Sequence, residues 1–180
     1  MRLIAGDWRG RPILAPPGQV TRPTSDRARE ALFSMLISRI GSFESLAVAD
    51  LFAGSGALGL EALSRGAAQC LFIDSDADAV KTIRRNCETL GAEARVEIRQ
   101  GAAERASPPP RPCDIIFIDP PYRSGLAEAA LANVARECWL APGGLVSLET
   151  AGGELAVPPT LLIEAERRFG KAHVRLFRLA

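Results

Sequence analysis

Residues 47–60 read AVADLFAGSGALGL. The apolar run from Ala47 to Leu51 stops at Gly54-Ser55-Gly56 and restarts with helical spacing at Ala57. A buried strand, a tight loop and a helix are expected in that order. Gly54, Gly56 and Gly59 fit the G-x-G-x-x-G spacing. The first two allow a tight turn and close approach of the backbone to a ligand, and the third lets the helix pack against the strand. This spacing alone does not choose between dinucleotides and other adenosine ligands. The selective residue is Asp50, at the strand end just before the glycines. A carboxylate there repels a pyrophosphate and suits a ligand that carries an ammonium group. S-adenosylmethionine (SAM) has both the ammonium group and an adenosine. The expected cofactor contacts of this stretch are Asp50, Phe52, Ala53, Gly54, Ser55 and Gly56.

Working outward, Gln69–Ile73 reads as a second strand ending at Asp74, twenty residues past Gly54. A carboxylate at that distance can take both ribose hydroxyls, and Ser75 lies beside it. Asp76 and Asp78 follow at the next helix's N-terminus, where capping accounts for them. Arg95–Arg99 alternates and reads as a third strand. Gln100–Glu104 then passes the adenine, with the backbone of Ala102 as the contact. Cys113–Ile118 is a fourth apolar strand, and it ends in Asp119-Pro120-Pro121-Tyr122. Three carboxylates at three strand ends, Asp50, Asp74 and Asp119, are hard to explain as core residues.

D-P-P-Y after an apolar strand suits methylation of a planar amino group. The lone pair of such a nitrogen is delocalised into its ring. Acceptors that bind its hydrogens draw it towards tetrahedral geometry and free that pair. Asp119, which also borders the cofactor, and the Pro120 carbonyl can supply two acceptors. Pro120 and Pro121 lack N–H groups, so the turn presents carbonyls. Tyr122 can stack on an extruded base. The donor methyl then needs only in-line placement within roughly 3–3.5 Å of the nitrogen. The alternative is a proline turn closing a strand.

Strands and helices alternate through the body, so an α/β fold with a doubly wound, mostly parallel sheet is expected. Helices are read at Ala57–Arg65, Asp76–Leu90 and from Ser124 or Gly125 to Trp139. Ala141-Pro142-Gly143-Gly144 turns into a fifth strand, Leu145–Glu149. Leu161–Arg168 and His173–Leu179 form a closing antiparallel hairpin, making seven strands. The ligand crevice belongs at the carboxyl ends of strands one and four, where strand order reverses. A single domain of 180 residues is expected, with a small hairpin appendage over 1–21 and a catalytic body over 22–180.

In that appendage, Trp8, Arg9 and Arg11 project towards unpaired bases, or Trp8 packs the hairpin on the body; both readings stand. Thr24 or Ser25 caps a helix whose buried stripe is Ala28, Ala31, Leu32, Met35, Leu36 and Ile40. Arg22, Arg27, Arg29 and Glu30 lie off the stripe, free for a phosphate or the cofactor's carboxylate, or simply for solvent. Net charge is +1, but residues 1–40 carry +4, residues 164–180 carry +3 and the middle carries −6. Basic ends on an acidic body fit a phosphate-rich partner, and also an unevenly charged surface. No apolar run approaches the roughly 20 residues of a membrane helix, and no secretory signal opens the chain, so the cytoplasm is expected. Four scattered cysteines and one histidine argue against a metal site and a disulfide framework.

The whole chain resembles the bacterial 16S ribosomal RNA guanine-N2 methyltransferases of the RsmD type. The segments that carry the resemblance are LIAGDWRGRPI at 3–13, RPTSDRAREALFS at 22–34, DLFAGSGALGLEALSRGA at 50–67 and FIDPPY at 117–122. The first two are not general methyltransferase motifs and select this family. The resemblance implies a Rossmann-like, SAM-dependent methyltransferase fold. It also implies methylation of one guanine's 2-amino group in 16S rRNA, in a small subunit largely assembled with its proteins. A monomer with no membrane partner is expected. Ser34, where related sequences often carry Asn, and the bare Gly101-Ala102-Ala103 depart from the pattern. Three rival readings are a DNA or protein-glutamine methyltransferase with the same motif, a nicotinamide oxidoreductase, and an RNA-binding module without catalysis. A DNA enzyme usually needs a further recognition domain, a glutamine enzyme favours Asn at position 119, and an oxidoreductase leaves Asp50 and D-P-P-Y unexplained.

Overall fold

The structure is a computed structural model that describes residues 1–17, 26–122 and 124–180. Its centre is a seven-stranded sheet built from the apolar runs. The strands are β1 (Ala47–Leu51), β2 (Gln69–Asp74), β3 (Val96–Gln100), β4 (Cys113–Ile118), β5 (Leu140–Thr150), β6 (Leu161–Phe169) and β7 (Ala172–Leu179). Their order is β3-β2-β1-β4-β5-β7-β6. The first five are parallel, and β7 runs antiparallel to both β5 and β6. All five residues of β1 are buried, as a parallel strand covered on both faces requires. The order reverses between β1 and β4, which opens a crevice at their carboxyl ends.

Helices α1 (Asp26–Ile40), α2 (Ala57–Ser64), α3 (Ala77–Leu90) and α4 (Leu126–Arg136) complete two cores, one on each face. Phe33, Leu36, Phe43, Leu60, Leu63, Phe72 and Phe117 pack in one core. Ile73, Ile116, Leu131, Trp139, Leu148 and Phe177 pack in the other. Alternate residues of β2 and β4 thus serve opposite cores. Burying each such side chain contributes roughly 1.5–3 kcal/mol. Burial also pushes the Cys87 and Cys113 thiols up to about 12, so they behave as small core residues.

Several elements differ from their sequence reading. The N-cap positions Thr24 and Ser25 lie outside the described residues. In α1, Arg29 and Phe33 join Leu32, Met35 and Leu36 on the buried face. Arg29, expected off the stripe, is only 1% exposed. Helix α4 stops before Trp139 because Cys138 takes a left-handed φ of 54° and turns the chain into β5. Strand β5 begins at Leu140, five residues earlier than expected. Leu140 pairs with Cys113 and Leu145 with Ile115, so residues 141–144 are accommodated as an irregularity. A Cβ on Gly144 would stand 2.8 Å from the Asp114 carbonyl oxygen, which explains the glycine inside a strand.

The first residues form a single antiparallel bridge, Arg2 with Pro12, rather than a long ladder. The stretch expected as an appendage is tied closely to the body. Glu61, fully buried on α2, accepts the N–H groups of Ile4 and Ala5 at 2.8 and 3.0 Å. Ser64 Oγ accepts the Trp8 N–H at 3.0 Å. Asn86 on α3 exchanges hydrogen bonds with Leu14 and donates to the Ser55 carbonyl. These polar side chains satisfy the N–H groups of Ile4, Ala5, Trp8 and Leu14, which the short hairpin leaves to them. No helix among the described residues is long and apolar enough to cross a membrane.

Candidate active site

The sheet register brings the site together. Leu51 pairs with Ile73 and with Ile118, and Ile118 pairs with Leu148. One residue further on, Asp74, Phe52, Asp119 and Glu149 therefore stand in one row across four strand ends. Adjacent strands are about 4.8 Å apart, so these side chains share one edge. A cleft of about 750 Å³ opens there.

Asp50 sits beneath the row and is 2% exposed. Its Oδ2 accepts the Gly59 N–H at 2.8 Å. Burial holds its carboxyl well above the usual carboxylate value, the Gly59 hydrogen bond opposes this, and Asp119 and Asp74 push it further up. Asp74 Oδ2 accepts the Gly54 N–H at 2.8 Å and its Oδ1 accepts the Asp76 N–H at 2.9 Å. The ribose carboxylate of the sequence reading thus also anchors the glycine loop.

The loop itself is strained. Phe52 has a φ of 61°, an uncommon state for a bulky residue. It is held by the Ala53 N–H donating to the Ile73 carbonyl at 3.1 Å and by the Gly56 N–H donating to Ala53 O at 2.7 Å. Phe52, Ala53, Gly54 and Ser55 all line the cleft, as do Ser75 and Ala102 further along. Gly56 does not. With φ 77° it caps α2, and a Cβ there would stand 3.2 Å from Phe72, so it supports the loop from behind. On Gly59 a Cβ would stand 2.3 Å from the Phe72 ring and 2.6 Å from the Cys70 sulfur, which is the close helix–strand packing its position implied.

Asp119, Pro120 and Pro121 line the same cleft. Pro120 and Pro121 also wall a second cavity of about 490 Å³, which holds Tyr122. Glu149 borders both spaces, and its Oε1 accepts the Tyr122 hydroxyl at 2.8 Å. Sequence reading missed Glu149, although an acid at the end of an apolar strand is the signal shared by Asp50, Asp74 and Asp119. It placed Arg29 off the buried stripe, among candidates for the cofactor's carboxylate, a phosphate or solvent, and did not foresee its burial. The Arg29 guanidinium lines the cleft, donates to the Arg2 carbonyl and to Asp26 Oδ1, and lies 3.9 Å from Glu61. Burial lowers its pKa while Glu61 and Asp26 raise it, and an arginine keeps its charge throughout. Helical periodicity gave no sign of it, because a buried cation breaks the apolar stripe.

The nucleic-acid residues fare differently. Trp8 is 8% exposed, and the Arg95 guanidinium lies 4.9 Å from its ring, so it packs the N-terminal segment rather than projecting. This corrects the stacking reading. Arg9 and Arg11 are exposed, and Arg11 Nη2 donates to the Thr89 carbonyl. Arg22 lies outside the described residues. The two acids already counted in the C-terminal +3 are paired within the segment. Arg178 pairs with Glu164, and Arg175 lies 3.5 Å from Glu166.

The family described as conserved hypothetical protein 95 matches residues 1–178. Ribosomal RNA small subunit methyltransferase D of Escherichia coli is 37% identical over 180 residues, covering 99% of this chain and 89% of that protein. The chain belongs to the RsmD family of methyltransferases. The Haemophilus influenzae protein of the same name is 35% identical over 183 residues, covering 99% of this RsmD-family chain and 93% of its own. A solved Escherichia coli structure, yhhF, superposes with a TM-score of 0.86 at 35% identity, covering 99% of this chain and 97% of its own. The family match extends past the four motif segments into the last strand. The RsmD-family fold seen here is the Rossmann-like fold of SAM-dependent methyltransferases.

Proposed function

We propose that this protein transfers a methyl group from SAM to the N2 amino group of one guanine in the 16S rRNA of the small ribosomal subunit. The observation that carries the reading is that Asp119 faces the cofactor cleft while the next two residues, Pro120 and Pro121, border both that cleft and a second cavity.

The cofactor cleft fits its ligand by charge. A buried Asp50 with Asp74 and Asp119 nearby is a concentration of negative charge that resists ionisation until a cation enters. SAM, when bound, supplies an electrophilic methyl group on a sulfonium centre. Asp50 is suited to its ammonium group, Asp74 to its ribose hydroxyls, and the segment around Ala102 to its adenine. The cation of Arg29, at the same cleft, suits a carboxylate.

On the other side, Asp119 Oδ and the Pro120 carbonyl accept the two amino hydrogens of the base and localise the nitrogen lone pair. The nitrogen forms its new bond to carbon as the carbon–sulfur bond breaks, and then loses a proton. Asp119 stands where that proton can be received. Tyr122 offers a ring face for the extruded base. Arg9 and Arg11 add exposed positive charge for the RNA backbone. We further propose that a monomer acts in the cytoplasm on the assembled or nearly assembled small subunit, and that neither a membrane nor a metal takes part.

The test is mass mapping of 16S rRNA nucleosides from cells with and without the gene, followed by transfer assays on free 16S rRNA and on 30S particles. Loss of one N2-methylguanosine on deletion, restored by the purified protein with SAM, is expected. A missing methyl group on adenine, cytosine or a protein glutamine would overturn the reading.

A further inference from the structure

Glu149 is the one acid of the strand-end row that the proposed reaction leaves without a task. Three observations define its place. It follows Leu148, the partner of Ile118, and so stands beside Asp119 across two parallel strands. It borders both the cofactor cleft and the second cavity, sharing that position with Pro120 and Pro121. Its carboxylate is oriented by the Tyr122 hydroxyl at 2.8 Å. The second cavity, about 490 Å³, falls within the roughly 300–1,000 Å³ of small-molecule sites.

We infer that Glu149 is the residue that selects guanine, by accepting the N1–H of the base whose amino group Asp119 holds. The inference rests on the proposed reaction and names the group that reads its substrate. In guanine two ring nitrogens flank the amino-bearing carbon, and one of them, N1, carries a hydrogen. In adenine and cytosine the corresponding ring nitrogen carries a lone pair. With the amino group held in the same place, that atom is what distinguishes the bases. An ionised carboxylate only accepts. It pairs with the guanine N1–H and sets negative charge against the lone pair of adenine or cytosine. A carboxylate has room for about four donors on two oxygens, so the Tyr122 hydroxyl and a base N–H can be accepted together. Tyr122 thereby couples the stacking ring to the reading group. A site that hydrogen-bonds a substrate N–H rejects analogues lacking it far more strongly than an apolar pocket can.

The test uses the full-length enzyme, SAM and 30S subunits reconstituted with transcribed 16S rRNA, carrying either guanosine or adenosine at the position that the wild-type enzyme methylates. Glu149→Gln keeps an oxygen for the Tyr122 hydroxyl but turns an NH₂ towards the base. We expect kcat/KM on the guanosine subunit to fall on the order of 100-fold. The adenosine-to-guanosine preference should rise at least tenfold, because the amide can donate to adenine N1. SAM affinity and thermal stability should stay within threefold and about 2 °C. Glu149→Ala should lose guanosine activity without gaining adenosine. Tyr122→Phe should lower the rate on guanosine and weaken the preference for guanosine, less than Glu149→Gln does, because the hydroxyl that orients Glu149 is lost. A Glu149→Gln enzyme within threefold of wild type on guanosine, or one that loses both bases in proportion, would overturn the assignment. If the wild-type product is not N2-methylguanosine, the proposed function itself fails, and the product map shows this before any variant is made.

Discussion

The two spaces that meet at Pro120, Pro121 and Glu149, a cofactor side and an acceptor side, differ in how they are made. The cofactor side has one local stretch at its centre, with further lining from Arg29, Asp74, Ala102 and Glu149. Residues 50–59 supply a buried acid, a strained loop and a helix start, and Asp74 holds the loop through the Gly54 N–H. The acceptor side has no such centre and joins two segments, one around Tyr122 and one around Glu149, through the pairing of β4 with β5. Tyr122 follows β4, Glu149 ends β5, and Gly152 to Leu155 close the cavity from the loop beyond. A locally coded site can be passed between proteins as a motif, whereas a site made by strand pairing varies with the loops around it.

Variants that strike one side alone test this division. The largest effect is expected from Asp119→Ala. It should lower kcat by roughly 10³-fold or more in the transfer assay, with SAM affinity within tenfold by calorimetry. Equal losses in both would merge the two sides. Asp74→Ala should instead weaken SAM binding on the order of 100-fold, with kcat at saturating SAM little changed. Gly59→Ala forces a methyl group into Phe72 and Cys70, and should cost about 1–3 kcal/mol in denaturant unfolding while loosening the cofactor side only.

A subtler effect concerns Asp50. Its folded carboxyl is raised above the usual value of 3.8, so the folded state holds the proton more tightly than the unfolded chain. The stability this contributes to the ligand-free protein is fully present below pH 3.8 and is lost as pH rises through the raised value. Melting temperatures of wild type should therefore lose ground to Asp50→Asn as pH rises over that window, while wild-type SAM affinity grows as Asp50 ionises. Parallel melting profiles would remove Asp50 from this role. The smallest effect is expected from Arg9→Glu, which should weaken RNA binding and reduce the salt slope by about 1. An unchanged slope would return Arg9 to the solvated surface.

Much of this molecule was legible in one dimension. The alternation of apolar runs with glycine turns and helical stripes specified the strands, and β4 was read to the residue at Cys113–Ile118. The acids at strand ends stood out because an apolar run rarely ends in a carboxylate by accident of packing. Misreadings occurred where tertiary contact overrode local pattern. Trp8 is covered by Arg95, eighty-seven residues away in the sequence. Arg29 is drawn inward by Glu61 and the Arg2 carbonyl. Trp139 leaves its expected helix because β5 begins one residue later.

The chain by itself determined the order of elements, the donor loop and the D-P-P-Y corner, since these depend on residues close enough to interact before the fold is complete. Only the folded sheet decided that Asp74, Phe52, Asp119 and Glu149 form one row, that Tyr122 leans on Glu149, and that a second cavity opens beside the first. Periodicity records which face of a strand is buried. It carries no record of which residue of another strand will lie opposite, because that register is set by long-range pairing and packing of the whole sheet.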